Sequence, residues 1–157
     1  MVLKNNNNQG FTLVELVTTI ILIGILAVTV VPRLISVTSY SAFSTRNEII
    51  SALRTIQQRA LSNSDLCYRV AFNASGYTTM RAARDVSGCG SFSNVGQQSQ
   101  WENGVAVTSN SSQTFDVNFD SLGGIELSNR CVGNCITVAA DDTVVIELTT
   151  AGYINAN

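Results

Sequence analysis

The side chains in this chain that could carry chemistry include four cysteines and eleven carboxylates. The sequence contains no histidine. Without histidine, neither a Ser–His nor a Cys–His nucleophilic pair can form. The spacing of the carboxylates does not indicate an acid–base pair for cleaving a glycan. We therefore predict that the chain is not an enzyme, with no catalytic residue and no cofactor.

The cysteines, Cys67, Cys89, Cys131 and Cys135, all follow the most apolar stretch of the chain. If that stretch is a membrane segment, an exported C-terminal part would meet an oxidising compartment, where disulfides form. The spacings lack the paired C-x-x-C pattern typical of a zinc site, so we predict no bound metal. Four cysteines allow three disulfide connectivities. We favour Cys131–Cys135, which closes a short turn, together with Cys67–Cys89.

One carboxylate, Glu15, stands at the start of that apolar stretch. From Leu16 to Val31 no residue is charged, and the stretch approaches the ~20 residues that a spanning helix needs. An ionised carboxylate inside a bilayer costs several kcal/mol unless it is paired, so Glu15 is a candidate functional residue. The alternative is a charge tolerated at the membrane interface, with its side chain reaching toward water.

Helical segments are predicted to follow a short polar leader, residues 1–10. Residues 11–32 form the apolar, membrane-spanning segment, and residues 33–64 form an amphipathic helix. We expect one long helix from about residue 11 to about residue 62 whose second half buries its apolar face on the C-terminal part. The apolar face recurs at helical spacings and comprises Ala42, Ile49, Leu53, Ile56 and Ala60.

Residues 65–157 are predicted to form an antiparallel β head that contains both disulfides. Alternating apolar residues, separated by turn signals, indicate short strands. A polar segment from Gly88 to Gly104 is interpreted as a surface loop. The fold class is therefore α+β, with a long N-terminal helix packed on an antiparallel sheet or small sandwich. The expected strands are 68–72, 77–82, 105–108, 114–119, 125–127, 136–139 and 143–148, with a last short one near Tyr153.

The charge of the β head is acidic, because nine carboxylates face four arginines beyond residue 64. DNA binding favours clustered Lys or Arg. We therefore expect no nucleic-acid partner.

The segment Gly10-Phe11-Thr12-Leu13-Val14-Glu15-Leu16 resembles the processing site of type IV prepilins and of the related secretion pseudopilins. The resemblance implies that a prepilin peptidase cuts between Gly10 and Phe11 and methylates the new amine of Phe11. It also implies that Glu15 pairs with the N-terminal amine of a neighbouring subunit. One departure is Gln9, which stands where a basic residue is common.

Gly24 and Pro32 match the places of a glycine and a proline in related pilins. The resemblance implies that the segment between them can unwind in a filament, because proline and glycine both weaken a helix. The alternative is a modest kink at Pro32.

A second resemblance lies in the C-terminal part, in Phe119-Asp120-Ser121-Leu122-Gly123 and in Ala151-Gly152-Tyr153-Ile154. These segments are similar to a domain shared by minor pseudopilins of type II secretion and some minor type IV pilins. We predict a minor pilin of a mannose-sensitive-haemagglutinin-like pilus, with a type II secretion minor pseudopilin as the alternative. An adhesin or a DNA-uptake module ranks below both.

The resemblance also implies the partners and the location. The partners would be the prepilin peptidase, other pilin subunits, the inner-membrane assembly platform with its ATPase, and lipid before assembly. The chain would cross the bacterial inner membrane once, with its head in the periplasm, and then enter a pilus or pseudopilus.

Overall fold

The computed structural model describes residues 11–34, 41–128 and 131–157, with side chains described as far as residue 28 in the first range. The fold is α+β: an N-terminal helix, a second helix and an antiparallel β region. The described residues form two compact units, one with the first helix and the other with the second helix and the strands.

Helix α1 spans Leu13–Leu34 and is continuous through Gly24 and Pro32. Aliphatic side chains dominate it, and the two weak helix formers do not end it. The predicted leader, with Gly10, lies outside the described residues, as does the connection to the second helix at residues 35–40. The prediction of one uninterrupted helix therefore stays a prediction.

Helix α2 spans Ser41–Ser62 and buries the apolar face expected from its periodicity. The five residues of that face are each at most 2% exposed. Just after the helix, the side chain of Asn63 accepts the backbone N–H of Asp65 at 3.1 Å and turns the chain into the first strand. The apolar face of α2 is thus buried against the strands of the C-terminal part, as predicted.

Within the described ranges the strands are antiparallel and form two sheets, one with seven strands and one with four. The path of the larger sheet is β3-β2-β1-β7-β8, with β4 and β5 also paired to β2, and that of the smaller is β11-β10-β9-β6. The strands are β1 Leu66–Asn73, β2 Gly76–Asp85, β3 Gly88–Cys89, β4 Ser93–Asn94, β5 Ser99–Gln100, β6 Ala106–Thr108, β7 Phe115–Phe119, β8 Ile125–Leu127, β9 Gly133–Ala139, β10 Thr143–Leu148 and β11 Ile154–Ala156.

The core lies where α2 packs against both sheets. The helix contacts β1 and β7 of the larger sheet and β9, β10 and β11 of the smaller one. Buried and more exposed side chains alternate along the strands, as is typical of a sheet with one buried face. In β7, for example, Phe115, Val117 and Phe119 are each at most 4% exposed. The sheets are joined beside the helix by the backbone N–H of Ile125, which donates to Thr150 O at 3.1 Å.

Residues 88–104 lie at the surface as predicted, but the segment is not entirely a loop, because it adds the two-residue strands β3, β4 and β5 to β2. A glycine makes the last pairing possible: a Cβ at Gly76 would overlap with the backbone of Ser99. Trp101 then anchors the end of the segment, since its Nε1 donates to Asn73 O at 3.1 Å and its ring stacks on Phe72 at 6.3 Å. The segment covers a strand edge that would otherwise be open for pairing.

Candidate processing and assembly site

Thr12 caps the N-terminus of α1. Its Oγ1 accepts the backbone N–H of Glu15 at 3.2 Å, and its carbonyl accepts the N–H of Leu16 at 3.2 Å. This geometry is that of an N-cap residue whose hydroxyl satisfies the third helical N–H. The preceding Phe11 is 84% exposed. The helix therefore begins at Leu13, two residues after Phe11, which the resemblance implies to be the new N-terminus.

The carboxylate of Glu15 is exposed in the first turn of α1. Among the described residues it has no hydrogen-bond or ion-pair partner. An acidic group in the first turn is favourable because the helix dipole is positive there. The Thr-x-x-Glu spacing is a capping signal that sequence reasoning missed, although it is visible in the sequence.

After Glu15, the described side chains of α1, residues 16–28, are apolar except for two threonines. Side chains from residue 11 to residue 28 are exposed. Thr18 and Thr19 do not interrupt this surface, because their hydroxyls donate to the carbonyls of Glu15 and Leu16 at 3.0 and 2.8 Å. Within the described residues, no helix is both long and apolar enough to be assigned as a membrane span. The large apolar side chains exposed on this helix include Leu13, Val14, Leu16, Ile20, Ile21, Leu22, Ile23, Ile25, Leu26 and Val28.

Gly24 lies in the middle of this helix, and a Cβ placed there would meet nothing within 4 Å. No contact in the described part of the chain therefore requires a glycine at this position. The side chain of Pro32 lies outside the described side chains, and so does the whole of Gly10.

Both disulfides lie in the unit that contains the strands. Cys67 on β1 is bonded to Cys89 on β3, and Cys131 is bonded to Cys135 on β9. These are the two pairs favoured among the three connectivities. The first one fixes the start of the 88–104 segment against β1, and the second links Cys131, two residues before β9, to the third residue of that strand.

Gln57 is a contact residue that the sequence does not reveal. Its Nε2 donates to Gly123 O and to Gly152 O, each at 2.7 Å. These partners lie 66 and 95 residues away along the chain. The amide therefore ties α2 to one turn of each sheet, and no local sequence signal could have predicted it.

The two turns held by Gln57 are the segments that carry the second resemblance. Asp120 Oδ1 accepts the N–H groups of Leu122 and Gly124 at 2.8 and 2.7 Å and shapes the first turn. The second turn contains Gly152, with φ of 94°, and a Cβ there would overlap with the carbonyl of Gly123. The glycines thus allow the turns to approach each other closely.

Glu48 joins α2 to the 88–104 segment. Its Oε1 accepts hydrogen bonds from Tyr77 Oη at 2.9 Å and from Ser99 Oγ at 2.5 Å. Burial, and then the hydrogen bond to Glu48, raises the pKa of Tyr77. Sequence reasoning missed this contact, because it is made across elements that are distant in the chain.

Comparison with known proteins agrees with the N-terminal geometry. Residues 5–31 match the prokaryotic N-terminal methylation motif. Comparisons with curated proteins and with solved structures found no match. The matched range includes the capped helix start, Glu15 and Gly24. The chain therefore carries the type IV prepilin-like signal at its N-terminus, and this signal supports a type IV pilin-like or pseudopilin precursor.

Proposed function

We propose that this protein is a structural subunit that is processed by a prepilin peptidase and then assembled into, or at the tip of, a type IV pilus. The observation that carries the proposal is the apolar exposed surface of α1, which begins directly after the predicted cleavage point. A helix that is apolar all round requires lipid or other helices as its surroundings. Lipid supplies them before assembly and neighbouring subunits supply them in the filament.

In this proposal, Glu15 forms a charge pair with a neighbouring subunit, and this pair exists only in the assembled state. Hydrolysis of the Gly10–Phe11 bond adds water and frees the amine of Phe11 next to the positive end of α1. A positive charge there is unfavourable, so a carboxylate from another subunit stabilises it. The carboxylate of Glu15 has no partner among the residues that the structure describes, and its own cost in lipid is offset when the pair forms.

Gly24 supports packing of α1 against other helices. Small residues at helix interfaces allow backbones to approach closely in a membrane. The space beside Gly24 is empty within 4 Å, so a neighbouring helix has access to it. Unwinding between Gly24 and Pro32 in the filament is part of the same proposal.

Among the subfamilies, we propose a minor pilin of a mannose-sensitive-haemagglutinin-like pilus, on the resemblance given above. The second candidate is a minor pseudopilin of type II secretion. The Asp120 and Gly152 turns, which Gln57 joins, support both candidates, since they carry the resemblance to a domain shared by minor pseudopilins and some minor type IV pilins. In both cases the chain crosses the inner membrane once, its head is periplasmic, and an assembly platform with its ATPase extracts it.

The proposed role is structural and not enzymatic, and the lack of histidine is consistent with it because no Ser–His or Cys–His pair can form. The acidic charge of the head argues against a nucleic-acid partner, and two of the three arginines of α2 make contacts within the fold. Arg54 donates to Ile154 O at 2.9 Å and Arg46 donates to Asn157 O at 3.4 Å.

The experiment that tests the proposal follows the tagged protein in the producing cell. We expect it in the membrane fraction at all times, and in sheared filaments only when the peptidase is present. Deleting the pilus ATPase should remove it from filaments, whereas deleting the secretion ATPase should not. Loss only in the secretion mutant would favour the pseudopilin, and full-length protein in filaments without the peptidase would refute both.

A further inference from the structure

An open groove of about 480 Å³ lies on the larger sheet. Side chains of β1, β7 and β8 alternate between the two faces of this sheet, and the apolar ones pack with α2. The polar ones therefore lie on the opposite face. The groove is lined by Arg69, Arg84, Phe92, Asn118, Asp120 and Glu126, among others.

Arg69 is held in a fixed position in this groove. Its Nη1 lies 3.0 Å from Asp116 Oδ2, and its guanidinium carbon lies 4.0 Å from the centre of the Phe92 ring. The Cys67–Cys89 disulfide anchors the segment that carries Phe92. Arg69 Nε is enclosed and has no hydrogen-bond partner within the described ranges. The guanidinium of Arg69 and the ring of Phe92 are therefore held in position before any ligand binds.

A row of polar side chains crosses the groove. Arg69 on β1 is opposite Asn118 on β7, and Asn118 is opposite Glu126 on β8. Neighbouring strands are about 4.8 Å apart, so the row offers a donor group, an amide that donates and accepts, and an acceptor group at regular intervals.

The mixture of charges decides the class of ligand. Asp120 and Glu126 repel an anion, while Arg69 and Arg84 repel a cation. A hydroxyl both donates and accepts, so it can satisfy a carboxylate and a guanidinium equally well. An apolar protein surface fits poorly, because the cores of protein interfaces are depleted of charged residues. The volume is within the range of small-molecule sites.

We propose that this groove binds a neutral, polyhydroxylated ligand, a saccharide, with Phe92 as a wall and Arg69, Asn118 and Glu126 as hydrogen-bonding partners. The site is independent of α1 and of the assembly role proposed above. It would allow the head to contact a glycan surface after assembly.

The test is saturation-transfer NMR on the full chain in micelles of a phosphocholine detergent, which carries no sugar headgroup. The probes are neutral hexoses, N-acetylhexosamines and their disaccharides, with sulfate and a basic heptapeptide as comparisons. We expect saturable binding by at least one saccharide. We expect Phe92→Ala and Glu126→Ala each to weaken that binding about tenfold.

Tyr153→Ala is the matched control, because Tyr153 is exposed on another part of the head and should leave saccharide binding unchanged. If Phe92→Ala disturbs the 88–104 segment, seen in the near-ultraviolet signal of Trp101, Glu126→Ala decides alone. Glu126 is exposed on the edge strand β8, between Ile125 and Leu127, which are buried on the other face of the sheet. The proposal is overturned if no saccharide binds, if only sulfate or the peptide binds, or if Glu126→Ala binds as tightly as the wild type.

Discussion

The hydroxyl of Thr12 accepts the backbone N–H of Glu15 at 3.2 Å. This bond caps α1 through the backbone of Glu15 and leaves the carboxylate without a partner in the described part of the chain. The helix start is thus stable by itself, and the charge of Glu15 is available to a second molecule. Without such a partner, the same carboxylate would make insertion of α1 into lipid less favourable.

Cleavage is the first expected event. We expect the mature chain to begin at Phe11 with a methylated amine, because the matched motif covers residues 5–31. Intact-mass analysis of protein from peptidase-competent cells measures the loss of the leader. Gly10→Leu should remain uncut because a side chain occupies the cleavage position, while Gly24→Ala should be cut normally. A mature wild-type chain that starts at Met1 would contradict the predicted cleavage.

The Gln57 contact predicts a stability effect. Gln57→Leu leaves the carbonyls of Gly123 and Gly152 without their donor, which should lower the free energy of unfolding by about 2 kcal/mol. Urea unfolding, followed by the near-ultraviolet signal of Trp101, measures it. Gln58→Leu is the matched control because Gln58 is exposed on the same helix, and it should change stability by less than about 0.5 kcal/mol. Equal effects of both substitutions would remove the role assigned to Gln57.

The two disulfides should differ in their effect on stability. The Cys67–Cys89 bond closes a separation of 22 residues and the Cys131–Cys135 bond one of 4. Chain entropy predicts a loss of about 3 kcal/mol for the double Cys→Ser variant of the first pair and about 2 kcal/mol for that of the second. Thermal unfolding ranks the variants, and non-reducing peptide mapping checks the pairs. A Cys67–Cys131 linkage would refute the pairing.

Tyr77 predicts a dependence on alkaline pH. Burial and the Glu48 hydrogen bond raise the pKa of Tyr77 above 10.0, so the folded head holds the phenolic proton more tightly than the unfolded chain. This contribution is fully present below about pH 10 and is lost as the pH rises through the folded pKa. Wild type should therefore lose more stability between about pH 9 and about pH 11 than Tyr77→Phe.

Tyr153→Phe is the control for that measurement, since Tyr153 is 58% exposed. Its stability should fall with pH as the wild type does. If Tyr77→Phe shows the same loss as wild type between the two pH values, the raised pKa of Tyr77 does not contribute to the loss of stability at alkaline pH.

The sequence predicts local features well in this protein and distant contacts poorly. The apolar face of α2 and the strands 125–127 and 143–148 occur where the spacing indicates them, because periodicity is a local consequence of burial. Gln57 and Glu48 could not be recognised, since their partners are set by how the turns and sheets meet. The short strands of the 88–104 segment were not predicted for a related reason. They pair with β2 through backbone groups, which require no apolar side chains.

The measurement that tests the central claim most directly is the recovery of Glu15→Ala in sheared filaments. Removing the carboxylate should leave membrane level and cleavage unchanged, because a costly polar group is gone from the apolar helix. Assembly should fail, since the amine of the neighbouring subunit loses its partner, typically a cost of ~3–5 kcal/mol for a buried pair. Glu102→Ala, which removes an exposed carboxylate from the head, should assemble normally. A processed Glu15→Ala protein that enters filaments as well as the wild type would contradict the account.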